Sequence, residues 1–375
     1  LINGNNFNSL HPKTRILVAP LDWGLGHATR CIPIINELLL QNCDVLIAAS
    51  GNGFFLLKKE FPSLIILRMS SYKIKYSRNK RWLPLKLFLQ FPQIIFSIQR
   101  ENFWLKKNIK KYKIDAVISD NRFGMYSKKI PSVYITHQLL IKTGNIFFEK
   151  IIQKINYHFI KKYNYCWVPD CKENGMAGEL SHQENMPSNI LYIGLLSRFE
   201  LLKKVPKLYD VLISISGPEP QRTIFEKIIL FQLNYFNKRI LVVRGLPNES
   251  KSIKTDNESI KIVNHLSANE LNKAFQQAEM VISRSGYTTI LDLVKLNKNA
   301  VLVPTPGQTE QEYLSSYLMN KNFFYSVEQN KFSLNAAYND ASVFEFINMP
   351  SCIDNYKNVI NQFVLSLKSG NFETQ

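Results

Sequence analysis

Twice along this chain, short runs rich in isoleucine and valine alternate with stretches of helical periodicity, and this repeated alternation constrains the fold most tightly. An apolar run bounded by turn formers reads as a strand buried on both faces, and the helical stretch after it carries the chain over to the next parallel strand. In the first half, strands are expected at 16–20, 44–50, 64–69, 115–120, 132–137 and 166–170, with a helix over about 28–41. A polar, lysine-rich stretch containing Pro206 follows residues 191–196 and reads as a linker. The pattern then restarts at 210–216, 239–245, 260–265, 280–285 and 300–306, and a helix over about 354–367 closes the chain. The expected class is α/β, with two doubly wound domains facing a cleft and ligands at the carboxyl ends of the strands. Residues 1–12 read as a polar tail, 13–200 as an N-terminal acceptor-side domain and 201–375 as a C-terminal nucleotide-binding domain. The last helix is free to pack back on the first domain.

With 375 residues, 45% of them hydrophobic and 20% charged, the chain can bury two ordinary cores without staples. Its five cysteines (Cys31, Cys43, Cys166, Cys171 and Cys352) are scattered and form no CxxC pair, so neither a metal site nor a disulfide framework is expected. Cys31 and Cys166 lie in apolar runs and read as buried thiols, which suits a reducing compartment. The first residues show no basic segment followed by an apolar stretch, so no secretory signal is visible, although a start at Leu1 leaves truncation open.

The net charge of +18 calls for an anionic partner, of which nucleic acid, an anionic membrane and a phosphorylated substrate all qualify. Much of the excess concentrates in one place: residues 73–113 hold twelve Lys or Arg against one acid, Glu101, interleaved with aromatics such as Trp82, Phe96, Phe103 and Trp104. The apolar run inside it, residues 87–98, contains Pro92 and is far shorter than the roughly 20 residues of a spanning helix. It reads either as an interfacial helix on anionic lipid or as a core helix pair with solvated lysines. No nucleic-acid-binding motif accompanies the charge, so nucleic acid is not an expected partner. The segment 72–113 is the candidate membrane-facing surface, and the expected location is cytoplasmic, peripheral on the inner face of the membrane.

The first strand-to-helix turn reads APLDWGLGHATR. Gly24 and Gly26 allow a tight turn, and the amides that open the following helix can meet an anion, but Thr29 stands where a dinucleotide fingerprint needs its third glycine. His27 sits at the mouth of the cleft, where an imidazole can take a proton from a hydroxyl or a water. Asp120 and His137 end two other strands of the same sheet and can converge on His27, the Asp orienting the imidazole or capping a helix. No Gly-x-Ser-x-Gly elbow occurs, so serine nucleophile chemistry is not indicated.

The second half carries the stronger pattern. VISRSGYTTILDL reads as a buried strand, a turn at Ser285 and Gly286, and a helix whose first turn presents amides and the Thr288 hydroxyl to a phosphate. Asp292 lies one turn beyond Thr288 and can accept from a ribose. The next strand ends in VPTPGQTEQEY, where Gln311 and Glu312 open another helix and can hold sugar hydroxyls.

At these residues the chain resembles the glycosyltransferase-B superfamily, particularly the glycosyltransferase family 28-like branch of the lipid II-forming N-acetylglucosaminyltransferase. The resemblance covers most of the chain and is specific in its C-terminal half. It implies two Rossmann-like domains, a nucleotide-sugar donor of the UDP-sugar type, and an unidentified acceptor that is lipid-linked in that branch. It also implies a metal-independent, inverting reaction with no cofactor, and no DxD tripeptide occurs in the chain. In that family a glycine-rich turn ending in GH supplies the base, matching Gly26 and His27. A glycine and an arginine four residues later introduce the second domain and contact phosphate, matching Gly194 and Arg198. The glycine-rich loop after the second domain's first strand is here SGPEPQR, retaining Gly217 but carrying two prolines and Glu219, a departure that weakens its claim to phosphate. The ribose-binding carboxylate falls on Asp292 and the paired sugar-binding glutamines on Gln311 and Glu312. The second of these is an acid here, so the sugar need not be N-acetylglucosamine. The nucleobase is expected near His265 and Leu266. Nucleotide-sugar hydrolases of the same fold share the opening GxGHxxRC, matched by Gly24, Gly26, His27, Arg30 and Cys31, and are the alternative. A non-catalytic nucleotide-sugar-binding protein on the membrane is a second one.

Overall fold

The computed structural model describes residues 13–70, 83–247, 249–350, 352 and 354–370, with the backbone alone over 83–91. The tail at 1–12 and residues 72–82 of the basic segment, Trp82 among them, lie outside the described residues.

The first half forms a parallel sheet from β1 (Arg15–Pro20), β2 (Asp44–Ala49), β3 (Ile65–Arg68), β4 (Ala116–Asp120), β5 (Ser132–Ile135), β6 (Tyr165–Val168) and β7 (Ile190–Tyr192). Their order is β3-β2-β1-β4-β5-β6-β7. Helices α1 (Gly26–Leu40), α2 (Gly51–Glu60), α3 (Leu83–Tyr112) and α4 (Ile146–Ile160) connect them. The second half repeats the plan with β8 (Tyr209–Ser214), β9 (Ile240–Val243), β10 (Ile260–Val263), β11 (Ala278–Ser283), β12 (Ala300–Leu302) and β13 (Tyr325–Ser326), in the order β10-β9-β8-β11-β12-β13. Its helices are α5 (Gln221–Leu233), α6 (Ala268–Gln277), α7 (Tyr287–Lys295), α8 (Thr309–Asn320) and α9 (Leu334–Ser342), and α10 (Asn355–Ser369) ends the chain. The molecule is thus two doubly wound, Rossmann-like domains.

In each sheet the strand order reverses beside the first strand, and these reversals position the site. β1 pairs in parallel with both β2 and β4, ending in the register Pro20↔Asp120; β8 pairs with both β9 and β11, ending at Ser214↔Ser283. Connections leave such neighbouring strands in opposite directions, so a crevice opens at their carboxyl ends. The strands themselves form because their side chains are buried on both faces: Ile16 to Ala19 and Val281 to Ser283 are all at most 1% exposed.

Three departures from the sequence reading have physical causes. Two short edge strands, β7 and β13, were not foreseen, because three partly exposed residues and two residues carry no periodicity to read. The segment around Pro92 is one 30-residue helix, α3, and not a helix pair. Cys171 and Cys352 are joined in a disulfide across 181 positions, a pairing that local spacing cannot reveal, whereas Cys31, Cys43 and Cys166 are buried free thiols. Among the described residues no helix is long and apolar enough to cross a membrane.

Helix α10 leaves the second domain and packs against α1, placing Phe363 edge-on to Trp167 of β6 at 5.4 Å between ring centres. Both rings are buried, so this contact ties the end of the chain to the first sheet. Phe363→Ala is expected to lower unfolding free energy by about 3–5 kcal/mol in urea titrations, the usual cost of removing a buried aromatic ring. A loss under about 1 kcal/mol would show that α10 is not anchored there.

Candidate active site

The crevice of the first domain is organised by one carboxylate. Asp120 is fully buried at the end of β4 and receives three hydrogen bonds from nitrogen, from Arg30 Nε at 2.7 Å, Arg30 Nη2 at 2.5 Å and His27 Nδ1 at 2.7 Å, and a longer one from Cys31 Sγ at 4.0 Å. His27 and Arg30 reach it together because they lie three residues apart on one face of α1. Burial alone would raise the Asp120 pKa, but Arg30 and then His27 outweigh it and pull it down to about 2. Burial likewise works against the Arg30 charge, and Asp120 more than offsets it. His27 Nδ1 lies 2.7 Å from Asp120 Oδ1 and 3.0 Å from Arg30 Nη2; the shorter contact to the carboxylate is the one that an Nδ1–H satisfies, leaving Nε2 as the basic atom, and the side chain is 16% exposed.

His137 lies just past β5, where the chain has left the sheet. Its Nδ1 is 3.1 Å from Arg30 Nη1 and its Nε2 is 2.8 Å from Glu310 Oε1 at the start of α8. Arginine can only donate, so Nδ1 accepts and Nε2 carries the proton. Burial lowers the His137 pKa, against the pull of Glu310, which leaves a neutral ring. That ring stacks on Tyr287, the first residue of α7, at 4.0 Å and 8°, and the Tyr287 hydroxyl donates to the Pro169 carbonyl at 2.8 Å. Partial burial opposes charge on Glu310, but His137, His27 and Arg30 together hold its pKa below the usual carboxylate value.

The start of α7 meets the start of α1 across the crevice. The Thr288 hydroxyl donates to the Gly26 carbonyl at 3.3 Å, and a Cβ on Gly26 would come within 3.1 Å of that hydroxyl, so only glycine fits without a shift. Gly24 needs glycine for a different reason, its φ of +82°. The Ser285 hydroxyl is committed to the Gln311 carbonyl at 2.9 Å. Neither α1 nor α7 therefore has a side-chain cap or an acid in its first turn. Two unneutralised helix N-termini face the same space, the arrangement that favours an anion.

The other helix starts differ. After Gly217, Glu219 turns back on the first turn of α5, accepting from Arg222 Nε at 2.5 Å and the Thr223 amide at 3.2 Å. Helix α8 opens with Glu310 and Glu312. Gln311 accepts from the Thr305 amide at 2.9 Å and donates to Gln308, while Glu312 accepts from the Gly307 amide at 2.9 Å, so the loop before α8 is rigidly held. Such a carboxylate-rich start suits hydroxyl donors and repels phosphate.

Arg198 and Asp292 meet at the junction of the domains. Asp292 is 5% exposed and accepts from the Ser197 hydroxyl at 2.5 Å; burial raises its pKa to about 6 despite the nearby Arg198 charge. It therefore faces the linker, while Thr288 faces Gly26. Arg198 has a buried Nε with no hydrogen-bond partner among the described residues. His265 is exposed beside Leu266; partial burial and then the charges of Lys59 and Arg198 lower its pKa, marking a cationic patch at this end of the cleft. Arg284 of the RSG turn points inward, donating to the carbonyls of Val303, Pro304 and Gln221.

The structure thus brings His27, Asp120 and His137 together with Gly24, Gly26, Ser285, Gly286 and Thr288, sets Gln311 and Glu312 beside them, and leaves Asp292, Arg198 and His265 farther along the cleft. Sequence reasoning gave no role to Glu310 or Tyr287, and noted Arg30 only as a motif match. Arg30 carried a usable signal, since its i,i+3 spacing from His27 puts it on the same helix face; Glu310 and Tyr287 carried none. Ser181, His182 and Asp170 also cluster, but Ser181 is buried and donates to Asp170, so this is a loop support rather than a nucleophile.

Residues 222–340 match the Glycosyltransferase family 28 C-terminal domain. The chain is 21% identical over 327 residues to an uncharacterized glycosyltransferase of Methanosarcina acetivorans, covering 80% of this chain and 81% of that one. It is 23% identical, over 77% of this chain and 83% of the relative, to the UDP-N-acetylglucosamine--N-acetylmuramyl-(pentapeptide) pyrophosphoryl-undecaprenol N-acetylglucosamine transferase of Prochlorococcus marinus. Among solved structures, the glycosyltransferase SnogD of Streptomyces nogalater superposes with a TM-score of 0.62 over 95% of this chain and 100% of that one, at 10% identity. The fold is that of GT-B glycosyltransferases, and the chain is a glycosyltransferase resembling family 28.

Because Asp120 has its pKa depressed in the folded state, it adds stability above its unfolded pKa near 4, and this is lost as pH falls through that value towards about 2. Asp120→Asn is expected to cost at least about 2 kcal/mol at neutral pH, with Arg30 left buried and unpaired. The deficit should shrink as urea titrations are moved below about pH 4. A deficit independent of pH would show that the carboxylate is not paired in this way.

Proposed function

We propose that this enzyme moves a sugar from a UDP-sugar to an acceptor hydroxyl, with inversion at the anomeric carbon and without a metal ion. The observation that carries the reading is the meeting of the His27–Asp120 pair with two uncapped helix N-termini across one crevice. His27 Nε2 takes the proton of the acceptor hydroxyl as its oxygen attacks the anomeric carbon. The bond from that carbon to the diphosphate breaks on the opposite face, and UDP leaves with the electron pair. The growing negative charge on the diphosphate is met by the amides of Gly286 to Thr288 and by Arg198.

The charge state of the cluster supports the direction of proton transfer. Arg30 is positive, Asp120 and Glu310 are negative and His137 is neutral, so a neutral His27 leaves the group with one excess negative charge. The proton that His27 takes during transfer cancels it. Gln311 and Glu312 stand where donor-sugar hydroxyls would bind, and Lys59, Arg198 and His265 would face the nucleotide. In His27→Ala, turnover of the nucleotide-sugar is expected to fall about 10²–10⁴-fold. Calorimetric UDP affinity should stay at the wild-type value. Undiminished turnover would remove His27 from the chemistry.

The acceptor is proposed to be amphipathic and presented at an anionic membrane surface. A groove of about 650 Å³ between α3 and α4 is lined by Ile95, Ile98, Ile155 and Phe159 and edged by Lys106, Lys154 and Lys162. Phe96 and Phe103 stand exposed on α3 itself. Apolar side chains ringed by lysines suit the interface of an anionic bilayer. The protein is expected to float with phosphatidylglycerol vesicles and not with phosphatidylcholine vesicles, and replacing the three lysines by Glu should abolish flotation. Equal recovery with both vesicle types, or none with either, would refute the membrane assignment.

A further inference from the structure

His137 is a ring at the crevice held by both domains at once. Arg30 of the first domain donates to its Nδ1; Glu310 of the second accepts from its Nε2, and Tyr287 of the second lies flat against its face. A neutral imidazole has one N–H and one lone pair, so fixing one nitrogen fixes the other. With Glu310 in place the proton stays on Nε2, and Nδ1 is obliged to accept. Without it, nothing in the second domain selects that tautomer. The alternative places an N–H against Arg30 Nη1 and removes the hydrogen bond that holds that arm of the guanidinium. The same guanidinium makes two of the three bonds from nitrogen to Asp120, and Asp120 makes the bond that orients His27.

We infer that Glu310 is a positioning residue for His27: through His137, Arg30 and Asp120 it makes the base competent only while α8, the helix that opens on Gln311 and Glu312, is seated against the first domain. The chain of contacts is continuous, with each separation between 2.5 and 3.1 Å, and Arg30 Nη2 also lies 3.0 Å from His27 Nδ1 itself. Seating of α8 is itself an interdomain event. The Thr309 hydroxyl donates to the Lys142 carbonyl at 2.7 Å, the Glu179 amide donates to the Tyr313 hydroxyl at 2.7 Å, and the Tyr317 hydroxyl donates to the Gly175 carbonyl at 2.9 Å. One turn of helix thus joins the proposed sugar-binding side chains to the proposed base. Glu310 has its carboxylate on His137, so its effect on the reaction is exerted through that ring.

The inference rests on His27 acting as the base, and its test separates the two ideas. Two-bond ¹H–¹⁵N spectra of ¹⁵N-histidine-labelled full chain report the tautomer of each imidazole without any substrate. The wild type should show His137 as a neutral Nε2–H ring and His27 as an Nδ1–H ring. In Glu310→Ala, the His137 pattern should move towards a mixture of tautomers and the His27 resonances should shift with it. Glu310→Gln, whose amide oxygen can accept the same proton, should restore both. In assays of UDP release from the nucleotide-sugar that the wild type turns over, Glu310→Ala should lose kcat by about tenfold or more while UDP affinity stays constant, and Glu310→Gln should recover most of the loss. Wild-type histidine spectra in Glu310→Ala would overturn the proposal. So would a Gln variant as impaired as the Ala variant, or a parallel loss of kcat and nucleotide affinity, which would make Glu310 an ordinary part of the donor site. If His27 is not the base, His27→Ala turns over normally while the response of His137 to Glu310→Ala persists, so the two failures look different.

Discussion

A carboxylate with no solvent contact, Asp120, sits where the first sheet reverses its strand order, and the site depends on how that charge is satisfied. Burying an ion costs several kcal/mol unless a partner with good geometry accompanies it. Arg30 supplies that partner with a two-pronged grip, yet it too is buried, so neither charge is tolerable without the other. The pair exists only when α1, β4 and the start of the crevice are assembled together. His27 shares the arrangement because helix geometry puts it on the same face as Arg30. The orientation of the imidazole is therefore a by-product of solving an electrostatic problem in the core, which keeps it fixed at little additional entropic cost.

The same economy shows in how helix starts are treated around the cleft. Four helices begin there, and their first turns are not alike. Helices α5 and α8 carry acids that answer their own dipoles or the loops before them. Helices α1 and α7 carry none, and the one serine able to cap α7 is turned towards the Gln311 carbonyl. A helix start left without an answering charge offers its free amides and positive dipole end to an anion. In the proposed reaction, diphosphate would lie with α1 and α7, and hydroxyl-rich sugar with α8. This division explains why Glu312 can stand in a position where a carboxylate beside a phosphate would be costly.

Much of this was legible in the sequence, and the parts that were not share a cause. Strands buried on both faces announce themselves as apolar runs, and residues that end them, such as Asp120, must lie on one edge of the sheet. The SG turn before α7 and the GH pair that opens α1 follow from the same logic. Edge strands β7 and β13 pair through backbone over two or three residues, which leaves no pattern in side-chain type. Arg30 and Asp120 are 90 positions apart, His137 and Glu310 173, and Cys171 and Cys352 181. The first of these partnerships is set by how the first sheet and its helices assemble, the other two by how the two halves of the chain come together. Glu310 read as one more acid in a polar helix start until its partner was placed opposite it.

The distribution of charge makes a final point about where the excess of +18 acts. The central cluster of Arg30, Asp120, His27, His137 and Glu310 is close to neutral and shifts by a single unit during the proposed transfer. The patch around Lys59, Arg198 and His265 adds only the charges of Lys59 and Arg198. Neither consumes the surplus. It lies instead on surfaces such as α3, where Lys106, Lys107, Lys110 and Lys111 follow one another with only Glu101 as an acid, and that acid is turned inward to Arg122. Charge so placed cannot act on the reacting atoms, because solvent screens it within about a Debye length of 8 Å. Its physical effect is on encounter: it raises the concentration of anionic surface around a centre that is itself electrically balanced.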